Sequence, residues 1–378
     1  MSNSSYFDAA TAAPPHPVTR QALLAAMKDG WTDPRRLYGQ ARKARQLLDA
    51  ARESLAEQFS VGPEELRIYG SGSAAAAMAV SGLLAGRRRA GNVFVHSVIE
   101  HSAVLRTADR HTEAGGTSES VPVDRHGVVD IEEFGRAVGR PGVAGAALLS
   151  ASHEVGTIQP LSEAAAACEA AGVPLYTDAA ASVAYGEIPT EWSLMSASAR
   201  KWGGPAGVGV LAVRAGVRWS PPAEASWAEL GQPNVALVVA AAATLRAHRA
   251  DLAQHTDRLR RLTARLRDRI AADVADVEVP GHPDDRLPHI VTFSCLYLDG
   301  EALVHALSRH GFAVSSGSAC ADAEQRPSHV LAAMGALTHG NVRVSLHTGV
   351  TDAEVERFLA ILPGVVAELR ERGGTGTL

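Results

Sequence analysis

The chain has 378 residues, 46% of them hydrophobic and 20% charged, enough apolar material for one large domain with a smaller companion. A formal charge of -5 excludes a broad attraction to nucleic acid or to an anionic membrane surface. Three cysteines without paired spacing argue against a disulfide framework or a zinc site and favour a reducing, cytoplasmic setting, and neither a leader pattern nor an apolar run of bilayer length stands out.

After a Pro-rich opening, "VTRQALLAAM" and "ARKARQLLDAARESLAEQF" carry apolar residues at spacings of three and four and read as helices. The pattern then alternates. "NVFVHSV", "GVAGAALLSA", "GVPLYTDAA", "EWSLMSAS" and "GVGVLAVR" are short apolar runs bounded by Gly, Pro or Asp, with helical stretches such as "LSEAAAACEAA" between several of them. This predicts an α/β fold, a mostly parallel sheet wrapped by helices. Residues 235–272 read as a long Arg-rich helix whose interrupting acids, Asp257 and Asp268, suit a solvated face bridging two domains better than a nucleic-acid surface. Beyond it, "HIVTFSCLYL", "EALVHALSRHGF", "NVRVSLHTG" and "TDAEVERFLAIL" predict a small α+β domain, its last helix opening with a Thr351/Glu354 capping box. The expected division is 15–255 for the large domain and 1–14 with 256–378 for the small one.

Four features fall where an α/β sheet places its site, just past the carboxyl ends of strands. The turn from Gly70 to Ser73 runs straight into a helix and could serve as a cap or as an anion site. Asp178 ends an apolar run and suits a helix cap or the partner of a pyridinium nitrogen. Lys201, before a Gly-rich turn, is a surface charge or, if desolvated, a Schiff-base amine. His101, Arg343 and Cys320 complete the set. A lone His or Arg usually has a structural role, yet Arg343 could fork onto an amino-acid carboxylate, and Cys320 sits in "VSSGSACADAEQRPSHVL", a Ser/Gly/Ala stretch unlike the apolar settings of Cys168 and Cys295.

At these residues the sequence resembles the cysteine desulfurases of the NifS/IscS type, in the class V aminotransferase family of fold-type I pyridoxal phosphate enzymes. The resemblance runs through "YFDAATAAPPHP", "EHSAVL", "HEVGTIQPL", "YTDAAASV", "SARKWGGPAGVGVL", "SSGSACADAEQRPSHVLAAMG" and "VRVSL". It implies that Lys201 holds pyridoxal 5′-phosphate covalently, Asp178 pairs with the ring nitrogen, His101 stacks on the ring and moves protons, and Arg343 holds the substrate carboxylate. Cys320 would take sulfur from L-cysteine as a persulfide, leave L-alanine, and pass the sulfur to a protein acceptor, its segment swinging between pocket and acceptor. A homodimer is also implied.

Several contacts depart from the family pattern. Ala74 replaces the phosphate-loop Thr, His153 an Asn, Ala181 a Gln, Arg200 a His, and Gln232 the Thr lent to the neighbouring subunit. The expected cradle is therefore rewired, with Ser73, Ser198 and Arg200 on the phosphate and His153 beside the ring oxygen. Such a divergent pocket makes a specialised sulfur-supply pathway as reasonable an expectation as general iron–sulfur assembly. The competing readings are a C–S or selenocysteine lyase and a cofactor-free, partner-binding subunit of a sulfur-transfer complex.

Overall fold

A computed structural model describes residues 4–221, 233–316 and 327–374. Cys320 and Gln232 lie outside the described residues. In chain order the elements are β1 (Ser5–Tyr6), α1 (Pro17–Met27), α2 (Gly39–Phe59), β2 (Leu66–Tyr69), α3 (Gly72–Arg87), β3 (Val93–Ser97), α4 (Ser102–Glu113), β4 (Thr117–Val121), α5 (Ile131–Val138), β5 (Val143–Ala147), α6 (Leu161–Ala170), β6 (Leu175–Asp178), α7 (Ala180–Tyr185), β7 (Leu194–Ser198) and β8 (Gly209–Val213). They continue as α8 (Val235–Asp273), β9 (Val277–Glu278), β10 (Ile290–Cys295), α9 (Gly300–Arg309), β11 (Phe312–Ala313), α10 (His329–Ala333), β12 (Asn341–Ser345) and α11 (Asp352–Gly374).

Seven strands form the main sheet in the order β2-β8-β7-β6-β5-β3-β4. The pairings from β7 through β4 are parallel, and β8 runs against both β7 and β2. The parallel core demands helices on both faces, which is why β5 and β7 are buried along their whole length and read as unbroken runs of small or apolar residues. Alternate residues serve opposite faces: Phe94 and Leu194 pack with α3 and α4, while Val95 packs with α5 and α6 and Met195 with α7 and α8. Two edge elements escaped the sequence pattern. In β2 two of four residues are half-buried, and β4, "TSESV", is mostly polar because it flanks the sheet on one side only.

A second, antiparallel sheet has the order β12-β10-β9. The N-terminal strand β1 pairs with β11, and Asp8 bridges to Ser345, so the chain's opening residues lie beside its C-terminal third. The boundary expected at 255/256 falls inside α8, a continuous helix of 39 residues. Early residues of α8 (Val238, Leu245) and late ones (Leu259, Leu266, Ile270) join one apolar cluster that reaches from β7 and β8 to β10 and β12. The capping box on the last helix is present: Thr351 N donates to Glu354 Oε2 at 2.8 Å, and Glu354 N to Thr351 Oγ1 at 3.3 Å.

Candidate active site

Asp178 closes β6, Ser198 closes β7, and His101 caps α4 just beyond β3. All three stand at the carboxyl ends of parallel strands. Ser198 leads into a single 3₁₀ turn, Ala199–Trp202, that carries Arg200 and Lys201. That turn is pinned. Buried Trp202 donates from Nε1 to Ala241 O at 3.2 Å, Ala13 N donates to Arg200 O at 2.8 Å, and Gly203 ends the turn at φ 75°, a left-handed conformation natural to glycine. Lys201 is thus held half-buried at a defined place, within electrostatic reach of His101 and His153.

His101 accepts from Ala103 N through Nδ1 at 3.1 Å, which sets its tautomer with the proton on Nε2. Its ring centroid lies 5.3 Å from that of His153. Burial depresses both imidazoles below their ordinary range, against the pull of Asp178 on His101, and His153 falls furthest because His101, Lys201 and Arg343 add positive charge around it. Both favour the neutral form. Asp178 Oδ1 accepts from Ala180 N at 2.9 Å, so the capping role exists alongside any other. Its charge reaches Glu100, a fully buried carboxyl whose Oε1 accepts from Leu149 N at 2.7 Å and whose Oε2 has no partner among the described residues; burial first and Asp178 second push Glu100 well above the usual carboxylate range.

The anion cradle is built from α3. Ser71 caps the helix, its Oγ accepting from Ala74 N at 3.0 Å, which leaves the N–H groups of Gly72 and Ser73 without helical acceptors. A Cβ on Gly72 would stand 2.6 Å from Ser198 Cβ and 3.0 Å from its Oγ, so only glycine lets the helix terminus come this close to Ser198. Ala74, standing where the family has a Thr, has its N–H taken by Ser71 and its methyl packed on the α3 core, so it lines the turn with no donor to offer. Arg200 is exposed beside the site and its charge reaches His101.

Arg343, on β12, is 2% exposed and already engaged. Its Nη2 meets Asp8 Oδ1 at 2.9 Å and Thr11 Oγ1 at 2.6 Å, its Nη1 donates to His153 O at 3.1 Å, and its Nε has no partner among the described residues. The guanidinium adjoins the cluster yet faces an internal carboxylate. Three residues that sequence reasoning passed over belong to the same neighbourhood: Asp8, Glu100 and Glu154. Glu154 Oε2 accepts from Ser328 Oγ at 2.5 Å and its carbonyl accepts from Thr292 Oγ1 at 2.7 Å, tying the turn after His153 to α10 and β10. Asp8 lies within "YFDAATAAPPHP", Glu100 directly precedes His101 and Glu154 directly follows His153, and that adjacency is the sequence signal for each. Cys168 and Cys295 are buried, their thiols pushed up to about 12 and about 11, which suits the structural role expected of them.

The family model described as aminotransferase class-V matches residues 5–358. The chain belongs to the class V aminotransferase family. Among curated members it is 35% identical to a cysteine desulfurase of Cereibacter sphaeroides over 368 residues, 94% of this chain and 93% of that protein. It is 33% identical to the IscS-like cysteine desulfurase of Mycobacterium tuberculosis, with 97% of each chain covered. In structure it is similar to a NifS-like protein at TM-score 0.87 and 24% identity, covering 97% of this chain and 100% of that one, and to DndA from Streptomyces lividans at TM-score 0.74 and 26% identity, covering 88% and 98%. The fold is therefore the fold-type I architecture of class V enzymes, and pyridoxal 5′-phosphate is the family's cofactor. The donor set fits that molecule: an amine, a carboxylate for a protonated ring nitrogen, neutral imidazoles, and a glycine-cleared helix terminus with Ser198 for a phosphate.

Proposed function

We propose that the protein is a pyridoxal phosphate-dependent cysteine desulfurase that converts L-cysteine to L-alanine and leaves the sulfur as a persulfide on Cys320 for a protein acceptor. The observation that carries this reading is the convergence of Lys201, Asp178, His101 and His153 at the carboxyl end of the parallel sheet, beside the Gly72–Ser198 cradle. When bound, the cofactor supplies an electron sink for charge that develops at the amino-acid carbon. Lys201 would anchor it, Asp178 would keep the proton on its ring nitrogen, and Ser73, Ser198, Arg200 and the α3 terminus would hold its phosphate. His153, favoured neutral and 8% exposed, would serve the ring oxygen. His101, also favoured neutral, is placed to accept a proton from substrate and return it. Arg343 receives the substrate carboxylate by exchanging part of its bond to Asp8.

Sulfur transfer balances without an outside oxidant. The Cys320 thiolate attacks the substrate sulfur and an S–S bond forms as the C–S bond breaks. The carbon keeps the electron pair and is protonated to alanine, so carbon is reduced while the two sulfurs reach the persulfide level. The two-domain division at about residue 255, a homodimer and a cytoplasmic setting are part of the same reading; the separation of the seven-stranded from the three-stranded sheet and the free, buried Cys168 and Cys295 support the first and the last. No described helix is long and apolar enough to cross a membrane.

The purified protein with pyridoxal phosphate should show a visible absorbance band that is absent in Lys201→Ala and shifts on adding L-cysteine. Mass spectrometry should then find one added sulfur on Cys320. Absence of the band at saturating cofactor sinks the proposal; sulfide release undiminished in Cys320→Ala would replace transfer with simple lyase action.

A further inference from the structure

Away from the cradle, a cavity of about 490 Å³ opens between α7, residues 186–191, α8 and residues 286–288. Arg249, Arg260 and Arg286 line it, and Arg260 and Arg286 continue with Arg267 into an adjoining cavity of about 450 Å³. Among the described residues, three of these guanidiniums bond only to backbone. Arg249 donates to Gly186 O at 2.6 Å and Val183 O at 3.4 Å, Arg267 to Pro280 O at 2.9 Å and Val279 O at 3.3 Å, and Arg286 to Ile290 O. Carbonyls satisfy N–H groups without neutralising charge, and among the described residues no carboxylate forms an ion pair with Arg249, Arg267 or Arg286.

The nearby acids stay outside. Glu187 and Glu191 are exposed at the rim, Glu191 accepts from Ser162, and Arg260 is paired with Asp257. Glu187 acts on Arg249, and Asp268 on Arg267, only from beyond ion-pair distance. Two buried polar atoms at the wall have no partner among the described residues, Arg286 Nε and Tyr185 Oη. Burial, with Arg267 adding to it, pulls Arg286 down to about 9, as expected for a cation held without a counter-ion. The rest of the lining mixes hydroxyls (Ser182, Thr256) with apolar surface (Leu252, Leu287).

We propose that this cavity binds a small organic oxyanion, its carboxylate or phosphate group against Arg249 and Arg286 and its apolar body against Leu252 and Leu287. The site shares no residue with the Gly72–Ser73–Ser198–Arg200 cradle, so it is distinct from the place of the cofactor phosphate. It does touch the reaction centre's support: Ser150, in its wall, donates through N and Oγ to Asp178 O at 2.9 and 3.1 Å and shares a 2.6 Å hydrogen bond with Ser182. An occupant therefore sits behind the strand end that presents Asp178.

Calorimetric titration of the cofactor-saturated protein with glycerol 3-phosphate and, separately, butyrate tests the proposal and distinguishes the two anion chemistries. At least one probe should bind at one site per chain. Affinity should fall about tenfold or more in Arg286→Gln and in Arg249→Gln and return in large part in Arg286→Lys, with the visible cofactor band unchanged in all three. No saturable heat with either probe would overturn the proposal, as would equal binding by wild type and Arg286→Gln. Binding lost in Arg343→Gln but kept in Arg286→Gln would also overturn it, because the anion would then occupy the substrate's place.

Discussion

Arg343 enters the site from β12 with its guanidinium divided between Asp8, Thr11 and the His153 carbonyl. A substrate carboxylate arriving there uses the planar fork that lysine lacks. Arg343→Lys should therefore raise KM for L-cysteine about tenfold or more while leaving the cofactor band in place; steady-state kinetics that show KM unchanged would reduce Arg343 to a structural partner of Asp8. The buried histidines set a pH dependence of stability. Burial lowers His96, His101, His153, His248, His289 and His347, with His153 and His289 well below 6.5. As pH falls through 6.5 the unfolded chain takes up protons that the native form refuses, so this contribution is complete above 6.5 and shrinks below it, by up to about 1.4 kcal/mol per pH unit for each group. Glu100 and Glu154, raised by burial, act in the opposite sense: their cost appears above 4.5 and is relieved as pH falls toward it. Six histidines against two carboxyls decide the sign. The melting temperature should drop from pH 7 to pH 5.5, with a shallower fall in His289→Gln; a flat profile by calorimetry would contradict the buried neutral histidines. Lys201, Asp178 and His101 were legible one at a time, each beside an ordinary structural explanation, whereas the neutral bias of His153 comes from burial and from His101, Lys201 and Arg343 gathered around it by the fold, and the Asp8 partner of Arg343 comes from the opposite end of the chain.

Helix α3 shows how an element makes a site from residues of little chemical character. Its sequence, "GSAAAAMAVSGLLAGR", offers few polar atoms, and its contribution is the terminus itself, brought against Ser198 by the missing side chain of Gly72. Gly72→Ala should displace the terminus or Ser198 and weaken pyridoxal phosphate binding about tenfold or more; an unchanged affinity in absorbance titration would show that the cradle lies elsewhere. The sequence signalled α3 through its Gly-Ser opening and α11 through the Thr351/Glu354 box, because both signals are local hydrogen bonds. Strands β2 and β4 gave no such signal, since at a sheet edge one face or one ladder is missing and apolar alternation fades.

Across the whole molecule, α8 does more than link two units. Its side chains enter a single apolar cluster with β7 and β8 at one end and β10 and β12 at the other. Leu259, fully buried within this cluster, should cost about 2–5 kcal/mol on replacement by Ala. Because the cluster is continuous, that loss should shift one common urea transition, with tryptophan fluorescence and far-UV circular dichroism coinciding. Two separated transitions would show that the halves are stabilised independently.

The sequence by itself determined the elements whose causes are local: the buried parallel strands, the long bridging helix, the capped last helix, and the order of motifs that identifies the family. Tertiary structure alone decided which of the scattered residues share one volume, because charge, burial and hydrogen-bond supply are properties of neighbours in space. Thus β1 lies beside β11, Asp8 holds Arg343, and three guanidiniums from α8 and residue 286 border two adjoining cavities without an ion-pair partner among the described residues.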